Sequence, residues 1–285
     1  MKAFAYRIVN VFAREGRLTG NPLCVFEDGR GIDDEAMQAL ARQFNLSETT
    51  FILPSLKAAA RVRIFTPAYE MPFAGHPTLG TAHVVRSLKN GGDELTLEMK
   101  AGIIPVSAKG DRWTLSANAP RSRAVTQSAA ELAEILGLDA ADIGDRPLWV
   151  STGREQLIVP LTSAHAVRRA KPVPDAFLRL KSEDGNSMAY VFADAGSTVE
   201  SRFFFPNGPA IVEDPATGSA CANLGGWFAT LRPGVAVERT VSQGEAVKRP
   251  STLFLSVTSP SAMGKGQRIL VGGNVIELGR GTLHL

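Results

Sequence analysis

The sequence predicts an α+β protein of two pseudo-repeated domains, each a curved, barrel-like, mostly antiparallel sheet around a central helix. Three observations lead there. The first is internal similarity. "RIFTP" at 63–67 and "RFFFP" at 202–206 share R-x-F-x-P, 139 residues apart. "HPTLGTA" (76–82) and "DPATGSA" (214–220) share x-P-x-x-G-[ST]-A, 138 residues apart, which is close to half of the 285-residue chain. The second is the alternation of apolar and polar residues in "DELTLEMKAG", "DRWTLSANAP" and "STLFLSVTSP", which marks strands. The third is that "TAHVVRSL" after Gly80 and "SACANLGGWFATL" after Gly218 are apolar nearly all round. Helices of that kind belong inside a curved sheet.

In chain order, "MKAFAYRIVNVFAREG" is interrupted by Arg7, Asn10 and Arg14, so it reads as a first strand rather than a signal peptide. "GNPLCVF" (20–26) is a glycine turn followed by an apolar run, and "GREQLIVP" (153–160) has the same form. "DDEAMQALARQFN" (33–45) sets Met37, Leu40, Ala41 and Phe44 on one helical face behind an Asp cap. "NLSETTFIL" (45–53) and "GNSMAYVFA" (185–193) each place a polar turn before an aromatic and β-branched strand. The first carries Glu48 where the second has only Ser187 and Met188. "AELAEILGL" (130–138) is a helix ended by Gly137, and "SANAPRSRAVTQSA" (116–129) reads as the connection between halves. The expected domains are residues 1–117 and 118–285, the last strand being able to return to the first domain. Two such domains facing one another put both motif turns in an interdomain cleft, where an active site is expected.

Composition narrows the function. Hydrophobic residues make up 44% and charged residues 21%, as in ordinary soluble proteins. The net charge of +3 is scattered along the chain, which argues against a nucleic-acid partner. No apolar run approaches the roughly 20 residues of a membrane span. Cys24 and Cys221 offer neither a disulfide framework nor metal-site spacing, and His76, His83, His165 and His284 are dispersed. A cytoplasmic protein without a metal is the expectation.

The paired motifs suggest an anion site. A Gly followed by Ser or Thr at a helix start leaves backbone N–H groups without intrahelical partners, and the helix dipole favours a carboxylate or phosphate there. The alternative is that Thr81 and Ser219 only cap their own helices. The ionisable candidates are Glu48, His76, Glu213 and Asp214. Glu48 is either a solvated turn carboxylate or, if enclosed, a carboxyl raised toward the range useful for proton transfer. His76 is either structural or a hydrogen-bonding group near that base. Asp214 could orient a substrate amine or hydroxyl, or shuttle a proton. Ser219 is not in a G-x-S-x-G elbow, and no G-K-[ST] of a P-loop follows the glycine. Cys24 and Cys221 read as packing.

"GNP" (20–22), "NLSETTFI" (45–52), "RIFTPAYEMPFAGHPTLGTA" (63–82), "EDPATGSA" (213–220) and "QGEAVKRPS" (243–251) together resemble the PhzF-like phenazine-biosynthesis family. The resemblance implies the diaminopimelate-epimerase fold, an active site that needs no cofactor and, commonly, a homodimer. It implies an isomerase that moves a proton between carbons of a small, cyclic carboxylate such as trans-2,3-dihydro-3-hydroxyanthranilate. By motif match, the acid/base glutamate falls on Glu48 and the active-site histidine on His76. The aspartate and serine fall on Asp214 and Ser219, with Gly75 and Gly218 offering backbone donors to the substrate carboxylate. Epimerases of this fold use one cysteine from each half, and Cys24 and Cys221 lie outside the turns that would carry that pair. Two other readings stay open: epimerase-like proton exchange on an amino acid, and a small-carboxylate-binding protein without chemistry.

Overall fold

The computed structural model describes residues 1–16, 18–260 and 266–285. The chain divides into two compact units, Met1–Ser116 with Gly272–Leu285, and Ala117–Val271.

The first unit begins with β1 (Ala3–Ala13) and β2 (Asn21–Phe26), followed by α1 (Asp34–Phe44), β3 (Glu48–Leu53), β4 (Ala60–Phe65) and β5 (Glu70–Met71). Then come α2 (Gly75–Lys89), β6 (Glu94–Met99), β7 (Gly102–Lys109) and β8 (Arg112–Ser116). β1 and β2 are antiparallel, β2 and β3 parallel, β3 and β4 antiparallel, β4 and β5 antiparallel. β4 and β6 are parallel, and β6 and β7 antiparallel. Strand alternation sends Cys24 and Phe26 to one face, where Met37, Leu40 and Ala41 of α1 meet Phe51 and Phe65. Leu23 points to the other face, against α2. That helix comes in close because it carries Gly80: a Cβ there would lie 2.6 Å from Leu23 Cδ2 and 2.9 Å from Val11 Cγ2.

The second unit contains β9 (Arg121–Ala124), α3 (Ala129–Leu136), β10 (Leu148–Ser151), β11 (Glu155–Pro160), α4 (Ala164–Arg169) and α5 (Pro174–Phe177). It continues with β12 (Ala189–Asp194), β13 (Thr198–Asn207), β14 (Ala210–Asp214), α6 (Gly218–Leu231), β15 (Val237–Gln243) and β16 (Ser251–Val257). The last strand, β17 (Ile269–His284), pairs from Ala3↔His284 onward with β1 in the first unit's sheet. From β10 to β16 the pairings run antiparallel, parallel, antiparallel, antiparallel, parallel, antiparallel. This is the same series as from β1 to β7. The halves therefore repeat one topology, a mostly antiparallel curved sheet around a central helix, with α6 in the place of α2. Its outer layer packs Leu132, Leu136, Val167 and Phe177 of the peripheral helices against Trp149, Leu157 and Val191.

The R-x-F-x-P repeat has a structural cause. Arg63 on β4 pairs with Glu70 on β5 at 2.8 Å, and Arg202 on β13 pairs with Glu213 on β14 at 2.7 Å. Each guanidinium also lies over the aromatic ring two residues on, Phe65 at 5.0 Å and Phe204 at 4.8 Å.

Two expectations need correction. The first central helix starts at Gly75, not after Gly80, because Pro77 sits in the first turn, where a missing N–H costs nothing. The aligned pair is therefore Gly75-His76 with Gly218-Ser219, and Gly80 is a packing glycine. The stretch 116–129 is not all connection, since Arg121–Ala124 pairs with β10 as β9. Arg63 pairs with Phe51 and Arg202 with Val191, so the R-x-F-x-P repeat sets Phe51 against Val191 and places Met188, as read from the sequence, where the first unit has Glu48. Among the described residues, no helix is long and apolar enough to cross a membrane.

Candidate active site

In the first unit the site is built where β2, β3 and α2 begin. Gly20 has φ +77°, and a Cβ on it would lie 2.5 Å from the Val11 carbonyl oxygen. Only glycine fits this turn, which launches β2 at Asn21-Pro22. Ser47 donates to Asn21 Oδ1 at 3.3 Å, tying the "NLSET" turn to the "GNP" turn. The next residue, Glu48, is half-buried, and its Oε2 lies 3.3 Å from His76 Nε2.

His76 is the second residue of α2 and only 6% exposed. Burial pushes its pKa down from 6.5 to about 3, against a smaller opposing effect of a hydrogen bond to the Pro22 backbone. Proline has only a carbonyl to offer, so the imidazole donates. Nε2 makes no hydrogen bond, so the donor is Nδ1. The ring is thus neutral at pH 7, with its Nε2 lone pair turned to Glu48. Thr81 does not cap the helix; it shares a 2.8 Å hydrogen bond with Thr50 of β3. Gly75, at the first helical position, has a backbone N–H with no intrahelical partner.

In the second unit Asp214, Gly218 and Ser219 share the turn from β14 into α6. Thr217 caps that helix by position and donates its hydroxyl to Asp214 Oδ2 at 2.5 Å. Gln243, at the end of β15 and 1% exposed, clamps the turn. Its Nε2 donates to the Asp214 carbonyl at 2.9 Å and to Thr217 Oγ1 at 3.0 Å, and its Oε1 accepts from the Thr217 N–H at 3.2 Å. Gly244 follows at φ +84°, where a Cβ would lie 2.5 Å from the Pro215 carbonyl oxygen. The clamp was missed from sequence, although its signal was present in "QGEAVKRPS". Ser219 does not cap α6 either; its Oγ accepts from Gln156 Nε2 at 3.1 Å.

Glu213, also weighed as an ionisable candidate, is the buried partner of Arg202. Cys24 and Cys221 are both buried, and burial pushes both thiols far up, so neither is a thiolate at neutral pH. Among the described residues no group of three or more His, Cys, Asp and Glu is arranged to hold a metal ion. The structure thus gathers Glu48, His76 and Gly75 in the first unit, and Asp214, Gly218 and Ser219 in the second.

The family model described as "Phenazine biosynthesis-like protein" matches residues 9–281. A Pasteurella multocida protein named as an uncharacterized isomerase is 37% identical, over 99% of this chain and 94% of its own length. The trans-2,3-dihydro-3-hydroxyanthranilate isomerase of Pseudomonas aeruginosa is 35% identical, over 98% of this chain and 99% of its own. The crystal structure of the Bacillus anthracis phenazine biosynthesis protein, PhzF family, superposes with a TM-score of 0.89 at 27% identity, covering 100% of both chains. A match over nearly the whole length, with relatives that are isomerases, makes this chain an isomerase and a member of the phenazine biosynthesis-like (PhzC-PhzF) family.

Proposed function

We propose that this isomerase moves a proton between carbons of a small, cyclic, carboxylate-bearing substrate of the trans-2,3-dihydro-3-hydroxyanthranilate type, without a cofactor, and that Glu48 carries the proton. The observation that carries this reading is the 3.3 Å approach of Glu48 Oε2 to a neutral, buried His76. In the first step the Glu48 carboxylate takes a proton from one ring carbon, and the C–H electron pair moves into the ring's double bonds. In the second, the Glu48 carboxyl returns that proton to the carbon at the far end of the shifted bonds. Nothing is oxidised or reduced, and no group leaves. Between the steps the His76 Nε2 lone pair accepts a hydrogen bond from the protonated carboxyl and holds it in place. Backbone N–H groups of Gly75 and Gly218 and the hydroxyl of Ser219 are assigned to the substrate carboxylate. Asp214 is assigned to a polar substituent of the ring or to relay of the proton.

The test is incubation with trans-2,3-dihydro-3-hydroxyanthranilate in D2O, following the ultraviolet spectrum and ring deuteration. Wild type shifts the spectrum and labels one ring carbon. Glu48→Gln keeps the fold and loses turnover by about a thousandfold or more. Wild-type-like turnover in Glu48→Gln overturns the role of Glu48. Inert wild type that instead exchanges an amino-acid α-proton overturns the substrate class.

A further inference from the structure

We propose that Gln156 and Asn223 are positioning residues that set the Ser219 hydroxyl as a hydrogen-bond donor to the substrate's carboxylate, a reading that rests on the assignment of Ser219 above. The inference follows from a buried chain of hydrogen bonds whose direction is fixed at one end by the backbone.

Asn223 sits in the middle of α6 at 0% exposure, among Ala220, Cys221 and Leu224. A buried amide in such a place is costly unless all its groups are bonded. Its Oδ1 accepts from the Thr152 backbone N–H at 2.7 Å and from the Thr152 hydroxyl at 2.8 Å. Its Nδ2 donates to the Arg154 carbonyl at 2.9 Å. A backbone N–H can only donate and a carbonyl can only accept, so the orientation of this amide is not a matter of choice. The same Nδ2 donates to Gln156 Oε1 at 2.8 Å. Gln156 is 2% exposed, and with its oxygen committed to Asn223 it can present only N–H to Ser219. The 3.1 Å contact is therefore Nε2–H to Oγ. Ser219 accepts on the protein side, and its own O–H turns away from Gln156.

The first unit anchors the same helix position with the opposite polarity. The anchors come from equivalent strands, Gln156 on β11 and Pro22 on β2. Ser219 and His76 both hold the second position of their helices. Pro22 offers a carbonyl and receives a proton from His76, which leaves a lone pair on the far side of the ring. Gln156 offers an N–H to Ser219, which leaves a proton to give. Beside that proton lie the N–H groups of Gly218 and Ser219 at the start of α6, which have no intrahelical partners. All of these donors favour one kind of occupant, an anionic oxygen. A reversed hydroxyl would add a lone pair and weaken the site for a carboxylate.

Two measurements test this. The first needs no ligand: neutron diffraction from deuterated crystals places the deuterium of the Ser219 hydroxyl. Density pointing away from Gln156 is expected, and density pointing at Gln156 overturns the inference. The second is calorimetric binding of 3-hydroxyanthranilate, a non-isomerising aromatic carboxylate, to wild type, Ser219→Ala, Gln156→Glu and the double variant. Glu at 156 still accepts from Asn223 but offers Ser219 only an acceptor, so the hydroxyl turns inward. Binding is expected to weaken about tenfold or more in each single variant. The double variant should be no weaker than Ser219→Ala. If Gln156→Glu costs as much again in the Ser219→Ala background, the residue acts through its charge and the inference fails. Gln156→Met, which removes the donor without adding charge, should lose only about two- to threefold and serves if the glutamate variant does not fold. In turnover of the dihydro substrate, Gln156→Glu should raise KM with kcat little changed. A wild type that binds no such carboxylate defeats the proposed function, while the neutron map still decides the hydroxyl.

Discussion

Glu48 Oε2 lies 3.3 Å from His76 Nε2, yet the two are not an ion pair at neutral pH. Burial holds the imidazole neutral, with a pKa of about 3, and the Pro22 carbonyl takes its one proton on the opposite side. What faces the carboxyl is a lone pair. A carboxyl that must be ionised in one step and protonated in the next is served better by such a neighbour than by a fixed cation, which would favour the ionised form alone.

The pH dependence of the enzyme follows from this. His76 does not change charge between pH 5 and 8, so it contributes no limb near 6.5 to the profile of kcat/KM. His76→Gln should lower kcat/KM about tenfold or more and leave the shape of the profile above pH 5 unchanged. Loss of a limb near 6.5 in the variant would refute the neutral assignment. Stability carries the complementary signature. The folded-state pKa lies below the unfolded value of 6.5, so between pH 6.5 and 3 the unfolded chain binds more protons. This contribution to stability is therefore fully present above pH 6.5 and is lost as pH falls toward 3. From pH 7.5 to 4.5 the unfolding free energy from urea titration should fall further in wild type than in His76→Gln, by on the order of 2 kcal/mol.

The thiols give a sharper division between chemistries. A racemase using two cysteines needs one thiolate and one thiol facing the same carbon, but Cys24 and Cys221 are fully buried and their thiols are pushed up. The double variant Cys24→Ala, Cys221→Ala should retain turnover within about threefold, at a stability cost of about 1–2 kcal/mol per site. An aromatic disulfide reagent should modify neither thiol until urea unfolds the chain. Loss of activity in a folded double variant would restore the two-thiol mechanism.

The repeat, the strand grammar and the residues of the candidate site stand out in the sequence because glycine, proline and acidic side chains occur in dense, ordered blocks. The register of the repeat does not. Aligning "HPTLGTA" with "DPATGSA" matched a packing glycine, Gly80, to a helix-start glycine, Gly218, because both are followed by a hydroxyl residue and alanine. The true match, Gly75 with Gly218, is hidden by Pro77, which reads as a turn but sits harmlessly in a first helical turn. The roles of Gln156, Asn223 and Gln243 were not legible at all. An amide's partners are set by strands far away in sequence, and nothing local distinguishes a buried Gln in "REQLIVP" from a surface one. Likewise β9 was lost in a polar connection, because an arginine-rich stretch of four residues carries no apolar alternation.

The Arg–Glu pairs behind R-x-F-x-P should be structural rather than catalytic. Arg202 meets Glu213 with side chains only 16% and 6% exposed, and it also donates to the carbonyls of Ala170, Val167 and Arg168 at the end of α4. Arg202→Met leaves Glu213 buried without its cation and those carbonyls without their donor. It should cost about 3 kcal/mol or more by urea unfolding. Arg63→Met should cost less, because Glu70 keeps Lys100 at 2.6 Å. In the folded fraction, Glu213→Gln should turn over substrate within about threefold of wild type, and a hundredfold loss would show that Glu213 belongs to the site.

Glycine substitutions separate backbone constraint from packing. At Gly20 an added Cβ would meet the Val11 carbonyl oxygen at 2.5 Å and the Ala13 nitrogen at 2.9 Å, and φ is +77°. Backbone atoms in a paired strand cannot move aside, and a left-handed alanine adds about 1 kcal/mol. Gly20→Ala should therefore cost about 3 kcal/mol. It should also depress kcat, since the turn it distorts carries Pro22, and with it the anchor of His76. At Gly80 the conflicts are with the side chains of Leu23, Val11 and Val9, and φ is ordinary for a helix. Those side chains can shift, so Gly80→Ala should cost about 1–3 kcal/mol with kcat closer to wild type. At Gly92 nothing lies within 4 Å of an added Cβ, and Gly92→Ala should stay within about 0.5 kcal/mol. Urea midpoints order the three, and kcat measured on the folded protein separates the first from the second. If Gly20→Ala lowers stability without lowering kcat, the "GNP" turn does not position His76 through Pro22.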